Sequence, residues 1–159
     1  MEWVTGTLQG LGLEVSAEKT RIADLRAGDG FDFLGFHHRL ELQGPPRHRG
    51  RRTIQRPSPN AIKRLQEKVR TIRHGGRVLN YSTRELVGEL NAVLRGWAAY
   101  FRRGDWYAVF RKLDQHVQRI VARYDARRRN APGLSWRKRG RKWFAELGLY
   151  SLTRPAPLE

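Results

Sequence analysis

From Ser58 onward, apolar positions recur with a helical period. Ile62, Leu65, Val69 and Ile72 share one face of a segment that Ser58-Pro59 opens, serine as cap and proline in the first turn, and Gly75-Gly76 closes. Leu86, Leu90, Val93, Leu94, Trp97, Ala98 and Phe101 repeat the pattern behind Ser82, whose partner Glu85 three residues on makes a capping box. Gly96 lies inside this second helix, where glycine is unfavourable by about 1 kcal/mol relative to alanine. It reads as a point of close approach for a ring or backbone beside Trp97. Gly104-Asp105 interrupts the pattern, with Asp105 as a cap. Phe110, Leu113, Val117, Ile120, Val121 and Tyr124 then predict a third helix over 106–129, closed by Asn130-Ala131-Pro132-Gly133.

Ahead of Ser58 the period is different. Residues 1–18 read as the end of a helix, a Gly10–Leu13 break and a short strand near Leu13–Val15. Thr20–Leu25 reads as a strand, and Ala27-Gly28-Asp29-Gly30 as a hairpin turn. Alternation follows through Leu34, Phe36, His38, Leu40 and Leu42. Gln43–Arg56 is a basic linker with few apolar residues, stiffened by Pro45-Pro46. It serves as a strap along a phosphate backbone or as a disordered connector. The predicted fold class is α+β, mainly α: a β-hairpin over 1–44, the linker over 45–56, three helices over 57–130 and a basic aromatic extension over 131–159.

Charge narrows the function. The chain has 32 basic and 15 acidic residues, a formal charge of +17. Residues 1–44 hold only four of the basic and seven of the acidic residues, so the excess sits on residues 45–159. A small body with that field attracts polyanions, and nucleic acid is the expected partner. An anionic membrane is the runner-up, but no apolar run is long enough to span one and no helix joins a broad exposed apolar face to this charge, so no membrane is expected. The absence of cysteine excludes disulfides, thiolate metal sites and cysteine nucleophiles, and fits a cytoplasmic location. His37, His38, His48, His74 and His116 form no metal-ligand pattern.

Lys112, His116, Arg119, Arg123 and Arg127 recur at four, three, four and four residues, a single line beside the core face of the third helix. A solvated charge face is the bland reading of such a line. The scarcity of acidic residues along it favours phosphate binding. In the extension, Trp136, Trp143 and Phe144 stand among Arg137, Lys138, Arg139, Arg141 and Lys142. Such rings stack on unpaired bases, or they dock on the helices with Leu147 and Leu149; docking is favoured for Trp143 and Phe144. The RNA-binding candidates are Arg64, Lys68, Arg95, Arg102, Arg103, Lys112, Arg119, Arg123, Arg127, Arg128, Arg129, Arg137, Lys138, Arg139, Arg141 and Lys142.

LNAVLRGWAAYFRRG (Leu90–Gly104) resembles the hallmark of the maturase-specific domain of group II intron reverse transcriptases, usually close to LNPVLRGWANYFR. Ala92 replaces the usual proline and Ala99 the usual asparagine, so any polar contact of that asparagine is missing here. RPSPNAIKRLQEKVR (Arg56–Arg70) resembles the first helix of that family's thumb. LGLEVSAEKTRI and GFDFLGF resemble its last palm motifs. By that likeness Lys19 lies near an incoming triphosphate, and Phe33, Leu34 and Gly35 form a primer grip; the residues alone read as a turn lysine and core phenylalanines. The resemblance implies a thumb-like three-helix bundle behind a palm remnant.

Polymerisation needs carboxylates that hold two metal ions about 4 Å apart. The family carries them in a YADD-type motif, with Mg²⁺ as cofactor. No Asp-Asp pair occurs in this sequence, and Asp24, Asp29 and Asp32 read as turn formers. No catalytic residue, metal site or cofactor is therefore expected for this chain alone, which looks like the C-terminal portion of a polymerase. The resemblance implies a module that binds structured intron RNA to assist splicing and, in a full-length parent, holds an RNA/DNA template–primer duplex. The alternatives are a polymerase fragment completed by a separate fingers and palm chain, and an inactive truncated relic. A hairpin without its parent sheet is also expected to be the least stable part and to self-associate unless the helices cover it.

Overall fold

A computed structural model describes residues 2–14, 16, 22–43, 50–75, 81–130 and 139–154. Among them are five helices and three strands: α1 (Glu2–Gly10), β1 (Gly30–Phe33), β2 (Phe36–Gln43), β3 (Gly50–Pro57), α2 (Pro59–His74), α3 (Thr83–Phe101), α4 (Tyr107–Arg128) and α5 (Arg141–Glu146). The fold is α+β and mainly α.

Local signals place the helix ends. The Ser58 hydroxyl accepts from Ala61 N at 3.2 Å, with Pro59 behind it, and Gly75 caps the other end of α2. The capping box of α3 is formed in both directions: Ser82 N donates to Glu85 Oε2 at 2.6 Å, and Glu85 N donates to Ser82 Oγ at 3.2 Å. These bonds hold the Glu85 carboxyl below its usual pKa, with the Arg128 charge assisting. Asp105 does not cap α4, whose N-cap is Trp106 without a side-chain bond. Asp105 turns instead to β3: its N–H donates to Gln55 O at 2.8 Å and its carboxylate accepts from Gln55 N at 3.3 Å.

The sheet is antiparallel in the order β1-β2-β3, with Phe33 opposite Phe36 and Phe36 opposite Pro57. Its hairpin turn is not at Ala27–Gly30. Asp24 Oδ1 accepts from Arg26 N and Ala27 N, and Asp29 Oδ2 from Asp24 N, so that stretch is a local side-chain-closed turn and residues 22–24 form no strand. The turn between paired strands is Leu34-Gly35, with φ of 48° and 80°, the left-handed pair that a two-residue hairpin loop demands. The short strand expected near Val15 is likewise missing at Leu13 and Glu14; Val15 lies outside the described residues.

Half of the expected linker is strand. Gly50–Pro57 pairs with β2, fills its second edge and buries Ile54 almost completely. A ladder is made by backbone groups and needs little apolar content. Glu41 supplies the charge partner for Arg39 on its own strand (2.9 Å) and for Arg56 across the β2–β3 pair (3.0 Å). Residues 44–49, including Pro45-Pro46, lie outside the described residues. The hairpin itself is covered on one side: Ser58 N donates to Gly35 O, Tyr100 Oη donates to Leu34 O at 2.8 Å, and Phe36 packs on Tyr100 and Phe101.

The core joins Leu65 and Val69 of α2, Leu86, Leu90, Leu94 and Ala98 of α3, and Phe110, Leu113, Val117 and Val121 of α4. Phe144 of α5 and Leu152 beyond it are buried in the same cluster, and Trp143, Leu147 and Leu149 pack against it. Each such buried side chain contributes about 1.5–3 kcal/mol. Docking is thus the outcome for Trp143 and Phe144, while Trp136 lies outside the described residues. Gly96 has open space around the position of a Cβ, so neither a ring nor a backbone exploits it.

Polar side chains of the hallmark segment fix this docked extension. Asn91 Nδ2 donates to Gly148 O at 2.7 Å and Asn91 Oδ1 accepts from Tyr150 N at 2.8 Å. Arg102 donates to Leu152 O at 2.8 Å and lies over the Trp106 ring. From α4, buried Asp114 accepts from Ser151 Oγ, Leu152 N, Thr153 N and Thr153 Oγ1. Ala92 and Ala99 are both exposed, so the two departures from the hallmark fall outside the core. No helix among the described residues is long and apolar enough to cross a membrane.

Candidate nucleic-acid interface

Packing of α2 against α4 assembles one cationic face. The α4 line keeps Lys112, Arg119, Arg123 and Arg127 exposed and half-buries His116. From α2, Arg70 and Arg73 come alongside. Burial lowers the pKa of Arg73, and the charges of Arg127 and Arg123 lower it further. Burial likewise depresses His116, followed by the charges of Arg119, Arg70 and Arg123. Burial leads both shifts, and the further contributions come from guanidinium groups of both helices, so Arg70, Arg73, Arg119, Arg123 and Arg127 share one neighbourhood around His116.

Within the two helices, few carboxylates are placed to offset these charges. The two helices contain only Glu67, Asp114 and Asp125 as acidic residues. Glu67 sits 4.0 Å from Lys63, Asp114 is saturated by the docked extension, and Asp125 is 2% exposed. Asp125 accepts from Thr83 Oγ1 at 2.9 Å, from Arg129 Nε at 3.2 Å and from Arg139 at 2.5 Å. Burial alone would raise its pKa; the Arg139 and Thr83 hydrogen bonds and the two guanidinium charges outweigh that and hold it low.

The sequence candidates therefore separate. Lys112, Arg119, Arg123 and Arg127 belong to the face. Arg64 and Lys68 are exposed on α2 but lie roughly 120–160° around the helix from Arg70. Arg103 is exposed beyond the end of α3, and Arg141 and Lys142 are exposed on α5, where Lys142 is 4.0 Å from Glu146. Four candidates are engaged within the fold. Arg102 holds the Leu152 carbonyl, Arg128 donates to Tyr81 O, and Arg129 pairs with Asp125. Arg139, whose side chain is 7% exposed, is clamped between Asp125 and the Trp143 ring at 4.0 Å. Arg95 leans over the Tyr150 ring at 5.8 Å. Arg137, Lys138 and Lys19 lie outside the described residues. Phe33 and Leu34 are exposed at the hairpin turn, and Gly35 sits against Phe101.

Arg70 and Arg73 were not among the candidates. Each is ordinary within its own helix, and only the α2–α4 packing gives them their neighbours. No group of three or more His, Asp or Glu side chains able to hold a metal ion occurs among the described residues.

No curated protein matches the chain closely enough to count as a relative. The family described as group II intron, maturase-specific domain, matches residues 62–143. The match takes in α2, α3 and α4 and reaches Trp143 of α5, just over half of the chain and all of its basic helical face. The chain belongs to the group II intron maturase-specific domain family.

Proposed function

We propose that this chain is an RNA-binding maturase module that lays the α2–α4 face along the sugar–phosphate backbone of structured group II intron RNA and so assists splicing. The observation that carries the reading is the placement of Arg70 and Arg73 of α2 beside the exposed Lys112, Arg123 and Arg127 of α4, while the acidic residues of the two helices, Glu67, Asp114 and Asp125, are engaged elsewhere. A folded chain keeps like charges together at a cost in stability, and phosphates remove that cost. Counterion release then supplies most of the affinity, and the rigid spacing of two packed helices supplies selectivity for RNA shape. The module is a binder rather than a catalyst. In a longer parent the same face would serve the template–primer duplex.

The test is binding of the full chain to a folded intron transcript and to an unstructured RNA of equal length across a salt series. The reading expects a steep linear fall of log affinity with log salt for both RNAs, and tighter binding of the folded one. A shallow slope, or equal affinities, would overturn it.

A further inference from the structure

A second basic feature lies on the other flank of α4. By helical phase, Tyr107 and Arg111 stand roughly a third of a turn from the core stripe, on the side away from the Lys112–Arg127 line. They form one wall of a cleft of about 730 Å³, closed by Arg95 of α3, Arg141 of α5, and Tyr150 and Arg154 of the docked extension. That volume falls within the range of roughly 300–1,000 Å³ usual for small-molecule sites.

The lining has two unusual properties. Four guanidinium groups converge on it, and among the described residues none makes an ion pair or a side-chain hydrogen bond; Arg95 only leans over Tyr150. The one carboxylate in the lining, Asp114, is already occupied by Ser151, Leu152 and Thr153. The cleft also presents rings: Tyr107 is 60% exposed, and Tyr150 is half-buried with Arg95 over its face. Gln115 and Gln118 add amide groups that both donate and accept.

We infer that this cleft holds an unpaired nucleotide projecting from the bound RNA. Guanidinium groups take the phosphate, a tyrosine ring stacks on the base, and the glutamine amides meet the base edge. A bare anion would leave the rings unused, and an apolar ligand would leave four charges unpaired. The inference rests on the RNA-binding reading and adds a ligand class to it. The backbone crosses one flank of α4, and an extruded nucleotide reaches over the exposed ridge to the other.

The experiment uses the full chain and two labelled RNA hairpins, one fully paired and one with a single bulged adenosine, read by fluorescence anisotropy. The bulged RNA should bind about tenfold more tightly, the scale of one base–aromatic stack. The double substitution Tyr107→Ala/Arg111→Ala should bring the ratio to about one while leaving the paired RNA unchanged. Both side chains are exposed, and Tyr107 has only an edge contact with Trp106. Arg154→Ala, beyond the last buried residue, provides an independent second variant with the same expected loss. Arg123→Ala/Arg127→Ala should weaken both RNAs equally and preserve the ratio. A wild-type ratio of one, or a ratio that survives Tyr107→Ala/Arg111→Ala and Arg154→Ala, overturns the cleft. Unchanged affinities in Arg123→Ala/Arg127→Ala overturn the backbone face alone, and failure of both RNAs to bind overturns both.

Discussion

Replacing Asp125 with alanine would expose how much of the basic character is structural. Asp125 links three parts of the molecule: Thr83 at the start of α3, Arg129 at the end of α4, and Arg139 ahead of α5. Asp125 and Arg139 are both buried, at 2% and 7% side-chain exposure, so water cannot replace the lost carboxylate. Removing one partner of a buried pair typically costs about 3–5 kcal/mol, because the other charge is left uncompensated. For a chain of this size that corresponds to a fall in Tm on the order of 10 °C. The remaining charge is the source of the loss, so Asp125→Ala/Arg139→Met should be less destabilised than the sum of its single substitutions. Urea unfolding followed by tryptophan fluorescence reads both, since Trp143 lies against Arg139. The pH dependence adds a sign. The folded pKa of Asp125 is depressed, so its contribution is present above the unfolded value near 3.8 and disappears as pH falls through the lower folded value. Asp125→Ala should flatten that acid limb. A loss under about 1 kcal/mol, or strict additivity of the pair, would refute the reasoning.

Other consequences are simpler to check. His116 has a folded pKa below 6.5 and a buried Nε2 without a partner among the described residues; the free chain should therefore lose stability as pH falls below 6.5. Phosphates restore the proton, so RNA affinity should rise over the same window, and His116→Gln should remove that rise in a binding titration at several pH values. Gly104 has φ +95°, and a Cβ there would stand 2.6 Å from Gln55 O; Gly104→Ala should cost about 1–3 kcal/mol in urea unfolding by prising the α3–α4 turn from β3. Asn91→Ala removes both bonds to the extension and should cost about 1–3 kcal/mol, with limited proteolysis cutting first within 139–154.

What the sequence disclosed and what it concealed divide by range. Ser58, Ser82 and Glu85 act within three residues, and the stripes of α2, α3 and α4 are periodic, so the helices and their starts were legible. Arg51, Arg52 and Arg56 disguised β3, because a strand is chosen by the edge it meets rather than by its own polarity. The hairpin turn was misplaced because Asp24 and Asp29 close a turn of their own, while Leu34 adopts a left-handed conformation that its side chain does not advertise. In the candidate site, the α4 line was legible from spacing alone. The distinction between Arg123, which is exposed, and Arg139, which is buried on a carboxylate 14 residues away, was not. Neither was the cleft, since Tyr107, Arg111 and Arg154 meet only after the extension docks on Asn91 and Asp114.

Salt dependence of RNA binding, compared between the wild-type chain and Arg70→Ala/Arg73→Ala/Arg123→Ala/Arg127→Ala, tests the central claim most directly. Each phosphate contact contributes about 0.9 to the slope of log affinity against log salt on duplex DNA, so losing four should flatten the slope by roughly three to four. An unchanged slope in a variant that still folds would show that the RNA backbone lies elsewhere on the molecule.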